Sequence, residues 1–275
     1  MFSVSILEAK TIIRTIDKTY GTDLSGLAMA SFRLRLSEIM QTSKIDSTED
    51  LAARLMDDKT FYETFISDIS IGSPDMFRDP DLWIYLRDHL LPTVLKPRIY
   101  PEIIFPESVT GHELFSLAVL LQEIGKDYRV DLSATCYNQK IMNHILAGEL
   151  PYYNFKNSKD NYEVFNPGSN FEDYTETREG NRYLKPNLLQ GVEIRLQGTD
   201  KNLCSEKTAI VFYRNRMIYQ NAEMQYRMLK QLLGDMKKGT YFITGIQEAI
   251  DGFGLVHLYE TVSSDLKIYQ KKDAN

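Results

Sequence analysis

The chain has 275 residues, 43% of them hydrophobic and 25% charged; that suffices for one large or two modest domains with real cores and excludes extended disorder. A net charge of −6 repels nucleic acid at long range, no apolar run approaches the ~18 residues of a membrane span, and Met1 to Lys10 lacks a signal-peptide layout. Cys136 and Cys204 stand far apart without CxxC spacing, which excludes a cysteine zinc site and suits a reducing compartment, so the expected address is cytoplasmic.

In chain order, residues 5–17 place Ile6, Ile12, Ile13 and Ile16 at helical spacing. Asp23-Leu-Ser is expected to open a second helix through Met40 that carries Phe32, Leu34, Leu36 and Ile39. Ser47-Thr-Glu-Asp reads as an N-cap with acids in the first turn, leading into Leu51 to Met56. Lys59 to Ile71 adds a fourth helix with Phe61, Phe65 and Ile69. An all-helical domain over 1–72 follows, with Gly72-Ser-Pro-Asp as punctuation.

Beyond it, short apolar runs alternate with amphipathic helices: Ile103 to Phe105, Glu113 to Ile124, Val130 to Ala134, then Gln139 to Ala147. Val192 to Leu196, Ala209 to Tyr213, Ala222 to Met236 and Tyr241 to Thr244 continue the rhythm. Such alternation predicts an α/β, Rossmann-like domain over 73–275, closed by an antiparallel hairpin of Leu255 to Val262 and Leu266 to Tyr269. Residues 151–190 interrupt it, rich in Tyr, Asn, Asp and Gly and too long for an ordinary loop. They read either as a surface insertion or as a small β-subdomain, and their aromatic content favours order. Exposed tyrosines there would form a protein-contact surface, and deleting 155–186 is expected to leave the core folded.

The turn after the first predicted strand, Pro106 to Ala118, lies where a Rossmann unit binds a nucleotide-like ligand. Gly111 permits a tight turn there, and Glu113 is either a hydrogen-bond acceptor for a ligand amine or a first-turn acid on the helix dipole. His89, His112, His144 and His257 show no metal-ligand spacing.

Val109-Thr-Gly-His-Glu-Leu-Phe-Ser-Leu-Ala118 resembles the motif Ser-Thr-Gly-Glu-Glu-Pro-Tyr-Ser-Ile/Leu-Ala of the chemotaxis receptor (CheR-type) methyltransferases. Met76-Phe-Arg-Asp-Pro80 is similar to that family's Phe-Phe-Arg-Asp/Glu segment, and Phe212-Tyr-Arg-Asn-Arg-Met-Ile-Tyr219 to its Phe-Cys-Arg-Asn-Val-Met/Leu-Ile-Tyr block. Asn202-Leu203, Gln247-Glu248 and Ile268-Tyr-Gln-Lys stand in register with further family segments. The resemblance implies methyl transfer from S-adenosylmethionine, with S-adenosylhomocysteine as product, to a glutamate carboxylate of a receptor or other signalling protein, without nucleic acid or membrane insertion. It implies catalytic roles for Arg78 and Tyr219, and a cofactor site formed by Thr110, Gly111, Glu113, Cys136, Asn138, Asn202, Leu203, Arg214 and Asn215.

The sequence also departs from the family. Where the family carries acids after its second strand, this chain has Cys136 and Asn138, and a thiol is a poor acceptor for a ribose diol. Gly72 and Pro74 replace two polar residues, His112 replaces a glutamate, and Arg33 and Arg35 are all that stands in place of a denser basic helix. A divergent methyltransferase and a non-catalytic CheR-like signalling or adaptor module both follow from this pattern.

Overall fold

The computed structural model describes residues 4–70, 75–96, 100–125, 129–197 and 203–273. Gly72, Pro74 and Asn202 lie outside the described residues. Two compact units divide the chain, Met1–Ile71 with Arg216–Leu229, and Gly72–Asn215 with Lys230–Asn275.

The first unit is helical. Helix α1 (Ile6–Tyr20) starts at a capping box in which Ser5 and Glu8 satisfy each other's backbone N–H, and ends at a left-handed Gly21. Helix α2 (Met29–Ser43) begins later than the sequence suggests, because Asp23 accepts from the Ser25 N–H and holds a turn instead of a cap. Helices α3 (Thr48–Asp57) and α4 (Lys59–Ile69) are capped by Ser47 and Asp58. Ile12, Ile16, Phe32, Leu36, Leu51 and Phe65 fill one core, while Ile6 and Leu34 are exposed. Residues 216–229, which periodicity alone assigned to the later domain, join this unit through backbone pairing. Leu27 bridges Gln220, the Ala28 N–H donates to the Tyr219 carbonyl, and the Asn221 N–H donates to that of Gly26, both at 2.8 Å.

The second unit opens with α5 (Pro80–Tyr85), which passes through a π-helical turn, Leu86–Leu90, into α6 (Leu91–Leu95). Then follow β1 (Glu102–Phe105), α7 (His112–Glu123), β2 (Asp131–Cys136), α8 (Gln139–Ala147) and α9 (Tyr152–Phe165). A two-stranded hairpin, β3 (Thr175–Arg178) and β4 (Asn181–Leu184), precedes β5 (Glu193–Leu196) and β6 (Thr208–Phe212). After α10 (Ala222–Asp235), of which this unit holds residues 230–235, come β7 (Tyr241–Ile243), β8 (Tyr259–Ser263) and β9 (Ile268–Lys271). The sheet order is β5-β2-β1-β6-β7-β9-β8, with the first five strands parallel and the β8–β9 hairpin antiparallel. This is the predicted Rossmann-like α/β sheet with its closing hairpin. The chain steps from β1 outward to β2 and β5, then returns to β6, so the topological switch point lies between the carboxyl ends of β1 and β6.

The 151–190 segment contains the expected small β element, but α9 precedes it. Ser158, Tyr162 and Phe165, at helical spacing, are the buried residues of α9. Tyr162, Phe165, Phe171, Leu184 and Leu188 belong to the same core as the sheet. The segment is therefore not separable from that core, which corrects the expectation for its deletion. Only Tyr152 and Tyr153 among its tyrosines are exposed large side chains; Tyr162 is buried, and Tyr174 and Tyr183 are partly so.

Candidate functional site at the carboxyl edge of the sheet

Three segments meet at a buried guanidinium. Arg214, just past β6, donates to Asp79 Oδ2 at 2.5 Å and to Glu113 Oε1 at 2.8 Å. Its side chain is fully buried, whereas those of Asp79 and Glu113 keep 19% and 15% exposure, so the carboxylates form the rim and the cation the floor. Burial pushes the Glu113 carboxyl up, against the opposing pull of Arg214. Two donors nearby remain unpaired and buried: Arg214 Nε and Asn215 Nδ2.

Each segment is positioned by the core. Phe77 and Asp79 have φ of 51° and 58°, a left-handed conformation that costs a side-chain-bearing residue about 1–2 kcal/mol. Side chains hold it: Ser158 and Ser116 accept from the Met76 and Phe77 N–H groups at 3.0 and 2.9 Å, and Trp83 Nε1 donates to the Arg78 carbonyl. The Phe77 ring stacks on Phe165 of α9 at 4.7 Å. Arg78 itself is half-buried, and among the described residues its guanidinium has no hydrogen-bonded partner. Asn215, at φ 55°, gives its N–H to Glu248 Oε2, which also accepts from Gly245 N–H and ties the ends of β6 and β7 together.

Other expected residues lie differently. Gly111 takes φ 73°, and a Cβ there would meet Ile145 Cγ2 at 2.7 Å, so packing against α8 already requires the glycine. The Thr110 hydroxyl caps the His112 N–H at a long 3.4 Å. Cys136 is buried, its thiol facing the carbonyls of Asn138 and Arg195 at 3.7 and 3.6 Å, and burial raises its pKa. The Asn138 carboxamide caps α8 by accepting from Ile141. The thiol and the Asn138 Oδ1 are thus engaged in local structure where cofactor contacts were expected. Leu203 donates its N–H to Asp235. Tyr219 belongs to the first unit, in the turn Met217–Tyr219.

Sequence reading missed three acids: Asp79, Glu248 and Glu107. Asp79 and Glu248 sat inside segments already matched to the family, which was the available signal. Glu107 stood inside the first βα turn, yet its acidic side chain offered no pattern of its own. No group of three or more His, Cys, Asp or Glu able to hold a metal occurs among the described residues.

A mainly parallel sheet with a charged, partly strained cluster at its switch-point edge defines a Rossmann-type domain built for a nucleotide-like ligand. The chain belongs to the CheR methyltransferases: residues 73–268 match the family described as "CheR methyltransferase, SAM binding domain". Among its relatives, "Putative methyltransferase Cher3" of Pseudomonas putida is 23% identical and covers 96% of this chain and 97% of its own. A "Chemotaxis protein methyltransferase" of Vibrio parahaemolyticus is 24% identical over 91% and 92% of the two chains. A solved structure from Listeria monocytogenes, described as "a putative class i s-adenosylmethionine-dependent methyltransferase", superposes with a TM-score of 0.42 at 13% identity, covering 98% of this chain and 90% of its own.

S-adenosylmethionine is the cofactor of this family's domain. The residues fit its amino-acid end, where Arg78 and the unpaired Arg214 Nε and Asn215 Nδ2 offer donors to a carboxylate. They do not fit its ribose as folded, because β2 ends in a buried thiol and a capping amide.

Proposed function

We propose that the chain transfers a methyl group from S-adenosylmethionine to a glutamate carboxylate of a signalling protein, in the cytoplasm. The observation that carries this reading is the Arg214 fork, which brings the Arg78-Asp79 segment, the first turn of α7 and the end of β6 to one edge. When bound, S-adenosylmethionine supplies a methyl group on a sulfonium sulfur. A glutamate carboxylate is ionised at neutral pH and needs no general base. The chain's work is then to hold charge and exclude water. Arg78 and Arg214 present cations, and the Asp79 and Glu113 carboxylates on Arg214 keep that one from drifting. Neither thiol competes as a nucleophile, since burial raises Cys136 and pushes Cys204 up to about 12. The relatives' names support a chemotaxis setting, while a strongly acidic acceptor helix finds little here: Arg33 is tied to the Val4 carbonyl and Arg35 to Glu38.

The occupied state of Cys136 and Asn138 favours a second reading, a non-catalytic adaptor that retains the fold. Two measurements separate them: calorimetric titration with S-adenosylmethionine and S-adenosylhomocysteine, and incubation of the full chain with methyl-labelled cofactor and receptor signalling domains. Micromolar binding with base-labile label on glutamate supports the enzyme. Binding without transfer, or no heat at millimolar ligand, leaves the adaptor.

A further inference from the structure

The switch point between β1 and β6 is already occupied by a side chain of the protein itself. Glu107, two residues past β1, is 2% exposed and has φ 56°, a conformation suited to glycine. Its carboxylate accepts from the Tyr213 hydroxyl, just past β6, at 2.9 Å, and from Gln197 Nε2, just past β5, at 3.2 Å. Its N–H donates to Thr135 Oγ1 on β2, and the following Ser108 N–H to the Thr135 carbonyl. One acidic side chain thereby links the carboxyl ends of the parallel strands where the fold class lays its nucleotide. Tyr213 is fully buried against it, so both partners are withdrawn from solvent.

We propose that Glu107 is an affinity-determining residue, a latch whose side chain must leave Tyr213 and Gln197 before a nucleoside cofactor enters between β1 and β6. The inference rests on the reading of this edge as the S-adenosylmethionine site and deepens it. A left-handed backbone at a side-chain-bearing residue is costly, and glycine at 107 would remove that cost.

The test is calorimetric titration of the full-length chain with S-adenosylhomocysteine, comparing wild type with Glu107→Gly and Tyr213→Phe, each checked for folding by thermal unfolding. Glu107→Gly is expected to tighten binding by at least about tenfold, the scale of one charge-assisted hydrogen bond no longer broken on entry. Tyr213→Phe, which loosens the latch without altering the backbone, is expected to tighten it by a smaller factor. Weaker binding by Glu107→Gly would make the carboxylate a ribose acceptor and overturn the latch. Equal affinities in all three, with only stability altered, would overturn it as a packing residue while leaving the cofactor site standing. No binding by any folded variant at millimolar ligand would overturn both the latch and the methyl-transfer reading.

Discussion

At the scale of single residues, the charge balance at Arg214 is the most exposed to test. Its guanidinium separates two carboxylates that reach it at 2.5 and 2.8 Å. Removing one partner of a buried ion pair leaves the others uncompensated, typically at about 3–5 kcal/mol. Arg214→Met is therefore expected to lower unfolding free energy by about 3 kcal/mol, the lower end because Asp79 and Glu113 are partly exposed. Adding Glu113→Gln should recover part of the loss, and denaturant titration of the two variants checks it; no recovery would mean that the carboxylates do not share the cation. Arg214→Lys should not substitute, since an ammonium lacks the planar fork that spans two acceptors. Gly111 gives a second case. Gly111→Ala meets Ile145 and a left-handed backbone together, so a loss of about 1–3 kcal/mol is expected. Combining it with Ile145→Ala, which removes the Cγ2 that the new Cβ would meet, should relieve only the steric share, which a double-mutant cycle resolves.

At the scale of elements, α9 shows what period and composition miss. Asparagine, aspartate and tyrosine argue against a helix, but Ser158, Tyr162 and Phe165 bury one face, and tertiary packing decides. The helix also supports the site: Ser158 holds Met76, Asn161 donates to the Met76 carbonyl at 3.0 Å, and Phe165 stacks on Phe77. Ser158→Ala leaves a buried N–H unpaired and is expected to cost about 1–3 kcal/mol. Because it also frees the strained Phe77–Asp79 turn, cofactor affinity should fall with it; a stability loss at unchanged affinity would confine α9 to packing. Elsewhere the elements were legible. Strict alternation marked β1, α7, β2 and α8, and the Ser47 cap marked α3, because each depends on local spacing alone. The pairing of 216–229 with Gly26–Ala28 was not legible, since backbone bridges distant in sequence leave no trace in side-chain pattern.

At the scale of the whole molecule, motif spacing pointed to the edge where Arg214 and Glu113 meet, but not to how its acids are used. Whether a carboxylate rims a cation or fills a crevice depends on strand order, which fixes what stands opposite it. The same dependence sets the protein's response to alkali. Tyr162 and Tyr174 both donate to Glu123, and Tyr259 donates to Asp251 beside Tyr269. Burial, with Glu123 next, pushes Tyr174 up to about 12; burial, with Asp251 next, does the same for Tyr269. Tyr162 and Tyr259 are raised as well, by burial first. An unfolded tyrosine ionises near pH 10. The folded state thus keeps these protons where the unfolded chain releases them, and the unfolded state binds fewer. Stability from these groups is therefore complete below about pH 10 and is lost as pH rises from there toward 12. The denaturation midpoint is expected to hold from pH 8 to 9.5 and to fall by pH 11. Lysine deprotonation contributes to any such fall, so the decisive comparison is with Tyr174→Phe and Tyr269→Phe. Each lacks one ionising hydroxyl and should show a shallower decline than wild type between pH 10 and 11.5. Parallel declines in all three proteins would show that the buried phenols do not govern it.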